Sequence, residues 1–235
     1  MSNQIEKPLA LLIPGLDGTG RLYYRQIGAL STRYRVRACE FRPRDSFDLP
    51  DLVEEIAQGT ENEAPGSILV VGESFGGLIA LQFILDCPQR IQRLVLVNTF
   101  PWYRRKARIR IACRLAGVLQ RSPARNLKDF IVDRILAAEG IPGEDRLSYR
   151  EAIKKIYHPA YCRRLQLVRD VDLRSRLREI RVPTDIFASG RDKLVPSIAE
   201  GRFMHSAIPG SRIHEFPQAG HSLLLTPGFN LADYL

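Results

Sequence analysis

Strand-like and helix-like segments alternate along most of this chain, and this alternation constrains the fold more than any single residue does. Runs typical of strands occur at Leu9–Ile13, Tyr34–Phe41, Ile68–Val71, Leu94–Val97, Thr184–Ala188 and Arg212–Phe216, with helical patterns at Gly20–Ser31, Leu49–Gln58, Phe75–Leu85 and Pro196–Ala207. Strands that alternate with helices are typical of a parallel sheet whose two faces are covered by the helices. The sequence therefore predicts an α/β protein with a mostly parallel central sheet flanked by helices.

The alternation breaks once, between about residues 99 and 180. This stretch carries helical patterns and no convincing strand, and the helical patterns include Leu127–Ala138, Ser148–Tyr157 and Tyr161–Leu177. A purely helical stretch between two strand-containing halves is interpreted as an insertion. We predict one discontinuous core domain formed by residues 1–98 and 181–235, with residues 99–180 as an all-helical cap.

Composition excludes several classes of protein. Hydrophobic residues make up 45% of the 235 residues and charged residues 26%, which are values of a globular chain rather than a disordered one. No apolar run approaches the roughly 20 residues of a membrane span, and Met1–Pro8 is too polar for a secretion signal. The four cysteines form no C-x-x-C pair, which argues against a disulfide framework or a zinc site. We therefore expect a cytoplasmic location.

The net charge of +9 comes from one short segment. Trp102–Lys128 contains nine basic and no acidic residues, whereas the rest of the chain carries 26 basic and 26 acidic side chains. Apolar residues recur at helical spacing within the segment, at Ile111, Leu115, Val118 and Leu119. This pattern predicts an amphipathic helix. Its basic face is either a solvated surface or a contact for an anionic substrate or membrane surface.

The strongest chemical signal is Gly72-Glu73-Ser74-Phe75-Gly76, a G-x-S-x-G pentapeptide. A strand pattern leads into it and a helical pattern leads out, which is the setting of a nucleophile elbow. Small residues on both sides let the chain turn sharply and expose the serine hydroxyl. The N-terminus of the following helix favours negative charge developing at the site. Ser74 is therefore the candidate nucleophile, and an ordinary glycine-rich turn is the alternative.

A serine hydroxyl needs a base to take its proton and a carboxylate to orient that base. His221 and Asp192 each follow a predicted strand, where ligands meet an open parallel sheet. The order Ser74, Asp192, His221 is also the order expected for this kind of fold. The remaining candidates are His158, His205 and His214 for the base, and Asp170, Asp172 and Asp185 for the carboxylate.

These motifs resemble those of α/β-hydrolases of the small, single-domain bacterial type. The runs at 189–196 and 219–222 are similar to the acid and histidine loops of that family, and the insertion at 99–180 corresponds to its cap. The resemblance implies that Ser74, Asp192 and His221 are nucleophile, acid and base. It also implies an oxyanion loop at 14–20, where Pro14 replaces the common histidine. By position, the backbone N–H groups of Leu16 and Phe75 would then hold the oxyanion.

The resemblance implies a serine esterase that cleaves small or medium acyl esters through an acyl-enzyme. Trp102 and Tyr103 at the start of the cap are candidate substrate contacts, or else hinge or core residues. A Ser74-dependent acyltransferase or thioesterase with an anionic acyl donor stays open. The motifs at 14–18 and 72–77 are also similar to those of plastid-type phytyl ester and diacylglycerol acyltransferases. A non-catalytic ligand-binding protein of the same fold stays open as well.

No pattern in the sequence suggests a cofactor or a metal ion. Gly15–Gly20 has the glycine spacing of a phosphate-binding loop, but Arg21 and Leu22 stand where Lys and Ser or Thr are required. No recognised nucleic-acid-binding motif accompanies the basic segment, so nucleic acid is not an expected partner. A small-molecule ester is the expected substrate, and the sequence leaves the oligomeric state unknown.

Overall fold

A computed structural model of the chain describes residues 7–42, 44, 46–121 and 159–235. For residues 115–121 it describes the backbone only. Two of the predicted cap helices, Leu127–Ala138 and Ser148–Tyr157, lie outside the described residues. In the part of the chain described here, no helix is long and apolar enough to cross a membrane.

The described strands form one parallel sheet, which confirms the predicted fold class. The strands are β1 (Leu9–Ile13), β2 (Arg35–Ala38), β3 (Ile68–Glu73), β4 (Ile91–Val97), β5 (Thr184–Ser189) and β6 (Arg212–Phe216). Their order across the sheet is β2-β1-β3-β4-β5-β6, and every neighbouring pair is parallel. The order reverses between β1 and β3. Such a reversal opens a crevice at the carboxyl ends of the strands.

Helices and short 3-10 turns connect the strands. The helices are α1 (Tyr24–Leu30), α2 (Leu49–Gly59), α3 (Phe75–Asp86), α4 (Lys106–Arg121), α5 (Pro159–Asp170) and α6 (Ser197–Ala207), and the 3-10 turns are Arg21–Tyr23, Pro88–Arg90, Arg174–Glu179, Leu223–Leu225 and Leu231–Tyr234. Alternate residues of β1 point into separate hydrophobic clusters on the two faces of the sheet. One cluster includes residues of α2 and α3, and the other includes the C-terminal turns. Both faces of the sheet are therefore covered, as a parallel sheet requires.

The predicted strand Tyr34–Phe41 is shorter in the structure, because the chain leaves the sheet early. After β2, the backbone N–H of Cys39 still donates to Leu12 O at 2.8 Å, and that of Phe41 donates to Gly18 O at 2.9 Å. The second contact ties the segment to the loop after β1 rather than to a neighbouring strand. The alternation of apolar and basic residues in the sequence therefore extends beyond the residues that pair with β1.

The predicted helix Tyr161–Leu177 is two elements in the structure, because the chain breaks it to meet the residues after β4. The helix α5 ends at Asp170, and the 3-10 turn Arg174–Glu179 follows. Between them, Asp172 forms an isolated antiparallel bridge with Trp102, and the Leu173 N–H donates to Pro101 O at 2.9 Å. These tertiary contacts outweigh the local helical pattern.

The helix α4 confirms the helical pattern of the basic segment, but Ile111 does not lie on the buried side as expected; the side chains of the other predicted apolar positions, Leu115, Val118 and Leu119, lie outside the described part. Ile111, predicted on the apolar stripe, has 57% of its surface exposed. Ile109 is buried instead, and Ala112 and Cys113 pack against the hydrophobic core. Residues 109, 112 and 113 share one side of a helix, and α5 packs against that helix. The position of α5 decides which side is covered.

Candidate active site

Ser74 occupies a sharp turn between β3 and α3. Its backbone has φ 54° and ψ −119°, a conformation that side-chain-bearing residues rarely adopt. The turn is possible because its neighbours are small: a Cβ atom on Gly76 would lie 2.1 Å from Ile13 O, and one on Gly72 would lie 2.6 Å from Gly76 O. The glycines of the motif are therefore required by close backbone approach, which agrees with a nucleophile elbow.

Hydrogen bonds from the adjacent strand fix the backbone of this turn. The Ser74 N–H donates to Val97 O at 2.9 Å, which extends the β3–β4 pairing into the turn. The hydroxyl of Thr99 donates to Ser74 O at 2.5 Å. A backbone held from both sides persists in a strained conformation, because the surrounding contacts over-determine it.

Asp192 lies in the loop after β5, and four hydrogen bonds satisfy its carboxylate. Oδ1 accepts from the backbone N–H groups of Leu194 and Val195, both at 2.9 Å. Oδ2 accepts from the Ser197 hydroxyl and also contacts His221 Nδ1 at 2.7 Å. The side chain has no exposed surface. The carboxylate is therefore locked in one orientation, facing the imidazole.

His221 lies in the loop after β6 and is held on its backbone side by Asn98. The Asn98 amide donates to His221 O at 2.7 Å and to Gly220 O at 3.3 Å. Its carbonyl oxygen accepts from Ser189 N–H at 2.9 Å. Asn98 follows Val97, the residue that holds the Ser74 backbone. One asparagine therefore joins the ends of β4 and β5 to the histidine loop.

Burial and charge act in opposite directions on the Asp192–His221 pair. For His221, burial by itself would lower the pKa, but the Asp192 carboxylate and, more weakly, Glu73 raise it above the ordinary 6.5. For Asp192, burial by itself would raise the pKa, but His221 and the Ser197 hydrogen bond hold it below the ordinary 3.8. The arrangement favours an ionised carboxylate beside an imidazole that readily accepts a second proton.

The hydrogen bond that connects His221 to a side chain runs through Nδ1 to Asp192. Among the described contacts, none joins the imidazole to the Ser74 hydroxyl. Catalytic hydrogen bonds are often long before a substrate binds and tighten in the reacting complex. The geometry thus brings two members of the predicted triad into direct contact and places the third on a turn tied to the same strand end.

The loop at 14–20 lies against the Ser74 turn, as expected for an oxyanion loop. A Cβ atom on Gly15 would lie 3.7 Å from Ser74 Cβ. The Gly18 N–H donates to Gly15 O at 3.1 Å, and the Asp17 carboxylate accepts from the Thr19 N–H and hydroxyl at 2.9 and 2.6 Å. Leu16 therefore sits in a tight turn. Phe75 is the first residue of α3, where backbone N–H groups have no partner within the helix.

Glu73 places a buried carboxyl immediately before the serine. Burial raises its pKa to about 7, against a lowering effect of His221, and Asp17 and Asp192 raise it further. Its side chain therefore carries a proton at neutral pH about as often as not. The G-x-S-x-G motif places no restriction on this position, so no pattern in the sequence points to a role for Glu73.

The competing candidates lie elsewhere in the structure. His214 and Asp185 contact each other at 3.0 Å, and Asp185 also accepts from Arg93 and Arg212. His205 contacts the Ser211 hydroxyl at the end of α6, while Asp170 and Asp172 pair with neighbouring surface arginines. His158 lies outside the described residues. Of the described candidates, Asp192 and His221 form the pair that adjoins the Ser74 turn.

Trp102 and Tyr103 line a cleft of about 200 Å³ together with Val195 and the buried carboxylate Glu200. The guanidinium of Arg174 lies 4.0 Å from the centre of the Trp102 ring, and the Tyr103 hydroxyl donates to Leu194 O at 3.1 Å. Ser74 and His221 are not among the residues that line this cleft. The cleft adjoins the Asp192 loop, and a substrate contact by either aromatic ring stays a prediction.

Sequence reasoning missed three residues that organise the site: Asn98, Ser197 and Arg164. Asn98 has a positive φ of 46° directly after a buried strand, a position where asparagine is enriched. Ser197 lies five residues after Asp192, within reach of its carboxylate across the start of α6. Arg164 had no signal in the sequence, because its partners lie about 148 positions away.

Nearly the whole chain matches the model of one known family. A model described as the alpha/beta hydrolase family matches residues 10–233, nearly the whole chain. This chain belongs to the alpha/beta hydrolase family. Among solved structures, the chain is similar to an esterase from Exiguobacterium antarcticum, which is 21% identical with a TM-score of 0.79, over 94% of this chain and 87% of that chain. At that identity the structural match shows the fold alone.

Curated relatives of this α/β hydrolase are bacterial. Proteins named "putative carbamate hydrolase RutD" from Cronobacter sakazakii and Klebsiella pneumoniae are 27% and 28% identical to it. Each match covers 93% of this chain, and 85% and 86% of the relatives. Membership of the alpha/beta hydrolase family supports a hydrolase. Within the described residues, no group of three or more His, Cys, Asp or Glu side chains has the arrangement of a metal site.

Proposed function

We propose that this α/β hydrolase cleaves carboxylic esters with Ser74 as nucleophile, His221 as general base and Asp192 as the carboxylate that orients the base. The observation that carries the proposal is the strained, positive-φ turn at Ser74 beside a buried Asp192–His221 pair at 2.7 Å. A serine raised on such a turn, with an oriented imidazole nearby, is the arrangement used for acyl transfer.

The proposed reaction has two steps that share the same groups. His221 takes the Ser74 proton as Oγ bonds to the ester carbonyl carbon, and the carbonyl oxygen becomes an oxyanion. The backbone N–H groups of Leu16 and Phe75 donate to that oxyanion. In other enzymes, one such donor stabilises the transition state by about 3 kcal/mol. His221 then protonates the departing alcohol as its C–O bond breaks. Water repeats the sequence on the acyl-enzyme and releases the acid.

We also propose that residues 99–180 act as a cap over this site, with Trp102 and Tyr103 as contacts for small or medium acyl esters. Two observations support the cap. The aromatic pair lines a cleft beside Val195 in the Asp192 loop, and Arg164 on α5 contacts the loop at 14–20. The same serine also admits two related reactions with an anionic acyl donor: an acyltransferase, in which an alcohol takes the place of water at the acyl-enzyme, and a thioesterase, in which the donor is a thioester and a thiol departs.

Carbamate hydrolysis is a second candidate, since the curated relatives carry that activity in their names. A carbamate carbonyl is attacked by the same nucleophile and gives a carbamoyl-enzyme in place of an acyl-enzyme. The carbamate nitrogen donates electrons to the carbonyl carbon, so attack on it is slower. Rates on matched ester and carbamate substrates with the same leaving group therefore distinguish the two candidates.

Labelling with a fluorophosphonate tests the nucleophile. Wild type should label at Ser74, and Ser74→Ala should abolish labelling and reduce nitrophenyl ester turnover by a factor of about 1,000 or more. Ser206→Ala is a matched control on the exposed surface of α6 and should label like wild type. Equal labelling of the Ser74→Ala variant would show that another group is the nucleophile.

A substrate series tests the rest of the proposal. Nitrophenyl esters of increasing acyl length, assayed with and without an added alcohol, separate short-chain hydrolysis from acyl transfer. A nitrophenyl carbamate in the same series measures the second candidate. Turnover near background on every substrate, despite tight binding, would contradict an enzyme and favour a ligand-binding member of the fold.

A further inference from the structure

Arg164 on α5 is a buried cation that contacts the loop at 14–20. The side chain donates from Nε to Leu16 O at 2.8 Å and from Nη2 to Asp17 O at 3.4 Å. The residue is 4% exposed, and among the described residues no carboxylate lies within ion-pair distance of it. Burying a guanidinium costs several kcal/mol unless its donors are satisfied. Here two consecutive backbone carbonyls supply the acceptors.

These two carbonyls belong to the two peptides that directly follow the peptide whose N–H would donate to the oxyanion. The Leu16 N–H belongs to the Gly15–Leu16 peptide, whose carbonyl oxygen accepts from the Gly18 N–H inside the turn. In a trans peptide the N–H and C=O point in opposite directions, so the Leu16 N–H points out of the turn. Arg164 holds the next two peptides through their carbonyls. The dihedral angles on the C-terminal side of Leu16 are therefore fixed from α5.

The loop is shaped around the guanidinium. A Cβ atom on Gly18 would lie 2.9 Å from Arg164 Nη1, and Gly18 has a φ of +69°. The positive φ favours glycine at this position, and a Cβ atom there would have to displace the guanidinium. The Asp17 carboxylate accepts from Thr19 and forms no ion pair with Arg164, although burial lowers the pKa of Arg164 and the charge of Asp17 opposes that effect. The contact is thus made with the backbone of the loop rather than with an acidic partner.

We propose that Arg164 is a positioning residue, which holds the Leu16 N–H in the orientation that stabilises the oxyanion and so couples the insertion helix α5 to the chemistry. The inference rests on the proposed function, because the oxyanion is part of that reaction. Arginine suits the role better than lysine, since its planar fork presents fixed donors to two acceptors. A change in the position of α5 would then change the rate without altering any group that touches the substrate.

Kinetics of Arg164→Met and Arg164→Lys test the coupling. Loss of a whole oxyanion donor reduces kcat by about 100- to 1,000-fold, so a donor that is only loosened should reduce it by about 10- to 100-fold. KM should change less than about threefold, because the ground-state ester does not use the oxyanion site. Arg164→Lys should stay impaired although it keeps the charge and the stem. The control is Arg163→Met on the same helix, where Arg163 donates to Phe47 O.

Hydrogen exchange of the backbone amides in residues 14–20 tests the structural half of the proposal without relying on turnover. Exchange should accelerate in Arg164→Met and stay at the wild-type rate in Arg163→Met. Unchanged exchange would overturn the proposal whatever the kinetics show. If the wild type is active, faster exchange in Arg164→Met together with an unchanged kcat would also overturn the proposal.

The two proposals fail in distinguishable ways. If wild type turns over no ester while Arg164→Met loosens the loop, the proposed function fails and the contact between Arg164 and the loop stands. If Arg164→Met is too unstable to assay, Arg164→Lys provides both readouts with the charge retained. Full recovery of kcat in Arg164→Lys would contradict a role for the fork, and would assign the residue to packing alone.

Discussion

At the scale of single residues, the site is a set of buried side chains whose pKa values are set by their partners as well as by residue type. Asp192 and Glu73 are both carboxylates near His221, yet the pKa of Asp192 is lowered and that of Glu73 is raised to about 7. Asp192 accepts four hydrogen bonds, which favour its charged form. Burial dominates the environment of Glu73. The same functional group is therefore charged at one position and carries a proton about half of the time at the other at neutral pH.

The raised pKa of Glu73 predicts a stability that depends on pH. The folded state keeps the Glu73 proton up to about pH 7, whereas the unfolded chain releases it near the ordinary value of 4.5. Folding therefore loses stability as the pH rises from about 4.5 to 7. Glu73→Gln escapes that loss, so its unfolding free energy relative to wild type should rise by on the order of 1–3 kcal/mol between pH 5 and 8.

Urea unfolding at several pH values measures this difference. Glu54→Gln is the control, since Glu54 is exposed on the surface of α2. Its difference from wild type should stay constant over the same range. A constant difference for Glu73→Gln as well would argue against a Glu73 that is buried with its proton.

At the scale of elements, the helix α4 carries the feature that sets the charge of the whole chain. Arg104, Arg105, Arg108, Arg110 and Arg114 are all exposed at or before this helix, together with Ile111. No acidic residue interrupts the segment 102–128. An exposed apolar side chain among cations is complementary to an anionic lipid surface, where each basic residue contributes about 1 kcal/mol. We propose that this side of α4 binds anionic membranes.

Sedimentation with vesicles tests this surface. Vesicles of equal parts phosphatidylglycerol and phosphatidylcholine should retain wild type, with binding lost at high salt. Arg110→Glu with Arg114→Glu should weaken retention by about tenfold or more, at roughly 1 kcal/mol for each charge. The matched control is Arg178→Glu with Arg181→Glu, two exposed arginines outside α4. Equal weakening by both pairs would indicate only an effect of net charge.

At the scale of the whole molecule, a buried cluster joins the strands on one side of the sheet. Asp185 in β5 is fully buried and accepts from Arg93 in β4 at 2.8 Å, and from Arg212 and His214 in β6 at 2.9 and 3.0 Å. Arg93 also donates to Tyr234 O near the C-terminus at 2.9 Å. The cluster thus links β4, β5, β6 and the last turn. This structural role accounts for Asp185 and His214, which are two of the residues that competed with Asp192 and His221 as candidates in the sequence.

Asp185→Ala should destabilise the fold by about 2–3 kcal/mol, because it leaves the partly buried Arg93 without its carboxylate. Asp170→Ala removes a surface pair with Arg169 and should cost less than about 1 kcal/mol. Burial alone would raise the pKa of Asp185, but its arginine and histidine partners lower it below 3.8. The stabilisation that Asp185 provides should therefore persist at neutral pH and be lost only as the pH falls below 3.8. Similar unfolding midpoints for both variants in urea would contradict the assignment.

The sequence alone predicted the order of strands and helices along the core, the sharp turn at Ser74, and the positions of Asp192 and His221 in loops that follow strands. These features are local, because a repeat of apolar residues or a glycine-bounded serine reports the conformation of its own segment. The family match and the parallel sheet agree with that interpretation. Parallel strands bring their carboxyl ends to one edge, so loop positions along the chain translate directly into proximity.

Only the tertiary structure decided the contacts that tune the site. The break after Asp170, the covered side of α4 and the contact between Arg164 and Leu16 all depend on which elements pack together. The pKa of Glu73 likewise depends on neighbours from several elements. A linear pattern carries no information on such pairs, since each free energy arises between groups far apart in the chain and exists only after packing has excluded water.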